Sequence, residues 1–252
     1  MKLISCHIEN FGKLQDCSME FQNDLNVICE KNGWGKSTFA AFIRAMFYGL
    51  EGERKRNIEE NEMLTHIGTQ TIETERLILR RFEYSDIDSM LRNWIADEQT
   101  QWDYGEPYYP TSDDVQRLFD TKYIVSYSCK DYYRWAVIEK TSSECIGQIA
   151  FFLVDSNNQH GEIEYVIGPA FQGKGYATEM TKAVIRFGFE KVNFHRIEID
   201  CRTVNEASRR VIEKCGLTYE GTFRDFFWRK DHFEGRRVYS VLKNEWEELN
   251  KK

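Results

Sequence analysis

GEIEYVIGPAFQGKGYATEMTKAVIRFGFEKVN, residues Gly161 to Asn193, changes its period halfway along. Ile163, Tyr165 and Ile167 alternate with Glu162, Glu164 and Val166, the period of two that marks a strand. Pro169 ends the alternation, and Met180, Val184 and Phe187 then recur at helical spacing. Between the two patterns lies Gln172-Gly173-Lys174-Gly175-Tyr176-Ala177. Successive free backbone N–H groups at a helix N-terminus bind anions, and the helix dipole adds to the attraction. Glycines at 173 and 175 remove the Cβ atoms that would hold a ligand away. Taken alone, a Gly-x-Gly before a helix also fits a plain turn, and the neighbouring residues have to decide.

Downstream, Arg196-Ile197-Glu198-Ile199-Asp200-Cys201 reads as another strand. Asn205-Glu206-Ala207-Ser208 opens a helix carrying Val211, Ile212 and Cys215, and Gly216-Leu217 stops it. Five stretches in order now resemble the GNAT superfamily of N-acetyltransferases, in particular its RimJ/RimL-like branch, which acetylates the N-termini of ribosomal proteins. They are TERLILRRF, CIGQIAFF, EIEYVIGPAFQGKGYATE, RIEIDCRTVNEASRRVIEKCGL and YEGTFRDFFWRKDHFEGRRVYSVLKNEW, running from about Thr71 to Trp246.

The resemblance implies acetyl-CoA as cosubstrate and no metal. It implies an α/β fold whose mixed, mostly antiparallel sheet is flanked by helices and splayed between its fourth and fifth strands, with the pantetheine arm in the gap. The backbone at Tyr165, Val166 and Ile167 would pair with the pantetheine amides. N–H groups at Gly173, Lys174, Gly175, Tyr176 and Ala177 would take the diphosphate, with Gln172 belonging to the family's Q/R-x-x-G-x-G/A loop. Asn205 matches the asparagine used on the pantetheine chain. Ser208 and Arg209, one helical turn on, fall near the thiol and phosphate ends. Asn205 and Ser208 also read as a helix N-cap and its first turn, and the two roles are compatible.

Acetyl transfer to an amine needs the neutral amine, a donor for the thioester oxygen and a proton for the leaving thiolate. Glu162 and Glu164 stand two apart on a strand and share one face beside the expected gap. Glu162 matches the Glu of the branch's E-I-G-Y pattern, whereas Glu164 replaces its glycine. A carboxylate that takes the amine proton through water is expected here, Glu162 before Glu164; a solvated strand face is the plainer reading. Many GNAT enzymes carry a tyrosine seven residues after the asparagine, but that position is Ile212. Ser208 or water is left as the proton donor, and a thiolate is a weak enough base for that to suffice.

Ahead of this region, CEKNGWGKSTFAAF (Cys29 to Phe42) follows the apolar run Leu25 to Ile28 and precedes a helical pattern over Phe39 to Tyr48. Gly33 and Gly35 suit a phosphate-binding loop, Lys36 could reach terminal phosphates and Ser37 could hold magnesium. Glu30 stands where that motif requires glycine. With the opening ISCHIENFGKL, the segment resembles the N-terminus of Rad50/SMC/RecF-like ATPases as far as about Glu62, where a charged stretch, Glu53 to Glu62, intervenes. A P-loop sheet needs several parallel strands covered on both faces, more than this length supplies. Residues 1–62 are therefore read as a truncated β-α P-loop fragment with a vestigial nucleotide loop, and residues 63–252 as the acetyltransferase-like domain.

The formal net charge is −7, with 34 Lys and Arg against 41 Asp and Glu, which argues against direct nucleic-acid binding. Seven cysteines, an odd number without a C-x-x-C pair, read as free thiols of a cytoplasmic protein. No apolar run approaches the roughly 20 residues of a membrane span, so no membrane partner is expected. In the segment expected to face the acceptor, Trp102, Tyr104 and Tyr108 are interleaved with acids such as Asp97 and Asp103. Carboxylates and aromatic faces both attract cations, although core packing explains the aromatic residues equally well. The expected acceptor is a primary amine, first a protein N-terminus and alternatively a cationic small molecule such as a polyamine or aminoglycoside. An ATP-binding repair-type module and a non-catalytic CoA-binding domain are the readings from other classes. A monomer or homodimer is expected.

Overall fold

Leu77 and Leu79 sit fully buried in one apolar cluster while Ile78, between them, packs against another. Both faces of this sheet are therefore covered. The computed structural model describes residues 5–11, 14–20, 64–229 and 231–250. The chain divides into two units, residues 1–61 and 62–252.

In the first unit, β1 (Ser5–Phe11) pairs antiparallel with β2 (Leu14–Glu20), from Ser5 opposite Glu20 to Phe11 opposite Leu14. β1 lies within the opening ISCHIENFGKL on which the ATPase-like resemblance rests, whereas β2 was not anticipated. The strand read at Leu25 to Ile28, the loop residues Gly33, Gly35, Lys36 and Ser37, and the helix read at Phe39 to Tyr48 lie outside the described residues.

The second unit is built on one eight-stranded sheet. Its strands are β3 (Ile72–Glu73), β4 (Leu77–Arg80), β5 (Tyr133–Glu139), β6 (Cys145–Asp155), β7 (His160–Ile167), β8 (Arg196–Arg202), β9 (Thr218–Arg229) and β10 (His232–Leu242). They lie in the order β3-β4-β5-β6-β7-β8-β10-β9. Only β7 and β8 run parallel; every other neighbouring pair is antiparallel. All seven residues of β5 are buried, because helices cover both of its faces.

On one face lie α1 (Ile87–Met90), continued by the π turn Leu91–Ile95, then α2 (Glu98–Tyr104) and α3 (Ser112–Leu118), continued through Phe119–Tyr123 to Ser126. Their Met90, Trp94, Val115 and Phe119 pack with Ala136, Ile138 and Val166. The other face takes α4 (Tyr176–Phe187), α5 (Glu206–Lys214) and α6 (Lys243–Asn250). There Met180, Val184 and Phe187 pack with Trp135, Ile163 and Ile199. Full burial of one such side chain contributes about 1.5–3 kcal/mol, so these two clusters hold the helices against the sheet.

The parallel β7–β8 ladder is short. It pairs His160 with Arg196, Gly161 with Ile197, Glu162 with Glu198 and Ile163 with Ile199, and then stops. From Glu164 to Ile167, β7 keeps its partner β6 but parts from β8. Counted from Leu77–Arg80, these are the fourth and fifth strands. A bulge in β6 between Phe151 and Leu153 stands opposite Glu162 and Ile163. Bulges bend and twist a strand locally, and this one lies where the fork begins.

Candidate active site

At the open end of the fork, the chain leaves β7 through Gly168 and Pro169 and turns into α4. Gly173 and Gly175 have φ of +74° and +85°, the left-handed region that favours glycine. Nothing lies within 4 Å of where a Cβ on Gly173 would stand, so backbone conformation rather than crowding selects the glycine. The first N–H groups of α4 have no partner within the helix and point out beside this loop. Glu179 fixes the geometry from behind: it accepts from Thr74 Oγ1 at 2.6 Å, Arg76 N at 2.9 Å and Arg76 Nε at 2.7 Å. Arg76 then donates through Nη1 to the Lys174 carbonyl at 2.9 Å. Gln172 ties the loop to the fork by donating to the Ile167 carbonyl at 3.0 Å.

A cavity of about 1000 Å³ runs from this loop into the fork. Tyr165, Val166, Ile167, Gln172, Gly173, Gly175, Tyr176, Ala177, Asn205 and Ser208 all line it, which brings together ten residues singled out from the sequence. The side chains of two others are engaged apart from the lining. The Lys174 ammonium sits 4.9 Å from the centre of the Phe171 ring, and Arg209 is held by Glu206 and Glu213 at 2.6 Å. In place of Arg209, Arg210 and Lys214 line the cavity. Both are exposed, and their i,i+4 spacing puts two cations on one face of α5. That spacing was legible in the sequence and was overlooked.

Where β7 faces α5, the Tyr165 hydroxyl meets Ser208 Oγ at 2.8 Å. Asn205 caps α5 by accepting from the Ser208 N–H at 3.0 Å, so the capping role is present. Ile212 is fully buried and belongs to the core.

On the opposite face of β7 the two glutamates are bound to arginines, not solvated. Glu162 is 5% exposed and pairs with Arg236 at 2.5 Å. Arg236 also contacts Asp200, and stands 3.7 Å from Glu198. Burial, reinforced by the neighbouring Asp200, holds the proton on Glu162 and pushes its carboxyl up to about 8 despite Arg236. Glu164 pairs with the buried Arg134 at 2.6 Å. Arg134 donates to Gln148 at 2.9 Å, and Gln148 donates to the Tyr104 hydroxyl at 3.0 Å. Neither glutamate forms part of the cavity wall, but Tyr104 does.

Of the three aromatic residues expected on the acceptor side, Tyr104 alone lines the cavity; Trp102 and Tyr108 are partly exposed outside it. The Arg229 guanidinium covers the Trp102 ring at 5.3 Å. Three acids of this segment have partners. Asp103 is paired with Arg202, Asp97 caps α2 by accepting from the Thr100 N–H at 2.7 Å, and Glu106 meets Lys122 at 3.3 Å. Among the described residues, no cluster of His, Cys, Asp and Glu is arranged to hold a metal ion, and no helix is long and apolar enough to cross a membrane.

Residues 76–218 match the family description "Acetyltransferase (GNAT) domain", and residues 1–85 match "AAA domain". "Uncharacterized N-acetyltransferase p20" of Bacillus licheniformis is 30% identical over 180 residues, covering 70% of this chain and 98% of that protein. "Putative ribosomal N-acetyltransferase YdaF" of Bacillus subtilis is 36% identical over 101 residues, 40% of this chain and 55% of that protein. The solved spermidine N-acetyltransferase of Vibrio cholerae, in complex with CoA and spermine, superposes with a TM-score of 0.60 at 19% identity. It covers 69% of this chain and 99% of that one, and the likeness is one of fold.

Proposed function

The chain belongs to the GNAT acetyltransferase family and is an N-acetyltransferase, and from this we propose that it moves the acetyl group of acetyl-CoA onto the N-terminal amine of a protein. One observation carries the placement of the cosubstrate. A single cavity joins the glycine loop at the head of α4 to the open fork between β7 and β8. The N–H groups from Gly173 to Ala177 suit a diphosphate. The edge of β7 from Glu164 to Ile167, released from β8, supplies backbone groups for an amide-bearing arm. Arg210 and Lys214 add positive charge along the same wall, where phosphates would be attracted.

For the chemistry, Glu162 has the basicity, and Glu164 connects through Arg134 and Gln148 to Tyr104 on the cavity wall. A carboxyl near 8 matches an α-amine, whose ordinary value is about 7.7–8.0. Glu162 takes the amine proton through water, and Glu164, framed by Arg134, orients the acceptor beside Tyr104. Ser208 donates to the departing sulfur. Asp103 on the cavity wall is paired with Arg202, which removes one anchoring charge for a polycation and supports a singly charged peptide N-terminus over a polyamine.

Calorimetry with CoA, followed by thiol release with acetyl-CoA and peptides carrying ribosomal-protein N-termini, tests the reading. Micromolar binding with peptide-dependent turnover is expected. Absence of CoA binding removes the placement; turnover with spermidine or an aminoglycoside but no peptide removes the choice of acceptor.

A further inference from the structure

We propose that Tyr165 is a positioning residue for acetyl transfer: its hydroxyl donates to Ser208 Oγ and so turns the Ser208 proton toward the leaving sulfur. The inference rests on the placement of acetyl-CoA just proposed. Both residues line the cavity, and their oxygens stand 2.8 Å apart. Among the described residues, Ser208 is the one partner within hydrogen-bonding reach of the Tyr165 hydroxyl. Asn205 accepts from the Ser208 N–H and fixes that backbone from the other side. A serine hydroxyl has one proton and two lone pairs. If Ser208 donated to Tyr165, its proton would be spent inside the wall. With Tyr165 donating, the serine proton is free to face the cavity.

A phenol is the better donor of the pair, and burial also raises the Tyr165 hydroxyl well above its ordinary value. Tyr165 therefore keeps its proton and orients Ser208 without becoming the acid. As the tetrahedral adduct collapses, the carbon–sulfur bond breaks and its electron pair stays on sulfur. The Ser208 hydroxyl gives its proton to that sulfur and regains one from water, while the proton lost by the amine leaves through the base to water. The absence of tyrosine at Ile212 is then answered by a tyrosine that enters from the strand, acting through serine.

Steady-state kinetics of Tyr165→Phe, Ser208→Ala and the double variant test this. Each single change is expected to lower kcat about tenfold or more while KM for acetyl-CoA moves less than about threefold, because the interaction is realised in the transition state. The double variant is expected to be no slower than Ser208→Ala, since residues acting as a unit do not add. An unchanged kcat in Tyr165→Phe, or losses that multiply in the double variant, overturns the proposal. CoA binding measured alongside separates the two readings. Retained binding with unchanged kcat sinks the role of Tyr165 alone, whereas no binding by the unaltered chain overturns both. Should Tyr165→Phe not fold, difluorotyrosine at 165 keeps the shape and sharpens the phenol. It is expected to add a fall in kcat at alkaline pH, and an unaltered pH profile rejects the proposal.

Discussion

Glu162 gives up its proton reluctantly because it is buried, and because Asp200 and Glu198 share its guanidinium partner Arg236. Its carboxyl sits at about 8 in the folded chain against an ordinary 4.5. A group that binds its proton more tightly when folded lends stability that is complete below about 4.5 and is lost as pH rises toward about 8. The melting temperature is therefore expected to fall between pH 5 and 8, and Glu162→Gln to flatten that slope; an identical slope in the variant removes the assignment. In kinetics, kcat is expected to rise through pH 8 in the native enzyme. Glu162→Gln should lose that limb and about 10²–10⁴-fold in rate. If the limb survives intact, it belongs to the acceptor amine. At Gly175, φ of +85° makes any side chain costly. Gly175→Val is expected to cost about 1–2 kcal/mol and to weaken CoA binding by at least tenfold in calorimetry.

At the scale of elements, the packing of β5 and the bracing of α4 make separable predictions. Trp135 is fully buried among Tyr133, Phe151 and Phe187, and Trp135→Ala is expected to cost about 3–5 kcal/mol by denaturant unfolding. Arg76→Ala leaves that core intact but releases the Lys174 carbonyl and Glu179. It is expected to raise KM for acetyl-CoA severalfold with little change in kcat, and a fall in kcat at unchanged KM contradicts the bracing role. The elements themselves were legible wherever period and punctuation agree. Tyr165 and Ile167 alternate, Pro169 stops the strand, and Met180, Val184 and Phe187 restart at helical spacing. The ten cavity residues followed from the family resemblance that this stretch, Asn205 and Ser208 help to carry. What the sequence hid is relational: Arg236 and Arg134 approach Glu162 and Glu164 from distant strands, and no local pattern foretells such partners. Arg209 was mistaken for a cavity residue because a one-residue step on a helix turns a side chain by about 100°. Arg210 takes the inward course.

For the whole molecule, the two units pose separate questions. Residues 1–85 match an AAA domain description, and the loop residues Gly33, Gly35, Lys36 and Ser37 lie outside the described residues. A chain beginning at Met63 is expected to retain CoA binding and peptide acetylation within about twofold of the full-length protein; loss of either assigns residues 1–62 a part in the activity. In the second unit, β3 to β7 and β8 to β10 form two half-sheets joined by a seam of four residue pairs. A cosubstrate lodged in the fork supplies the rungs that the seam lacks, and so stitches the halves into one cooperative body. Deuterium uptake at residues 164–167 and 200–202 should slow together when CoA is present, and the separate loosening of the half-sheets should merge into a single melting event.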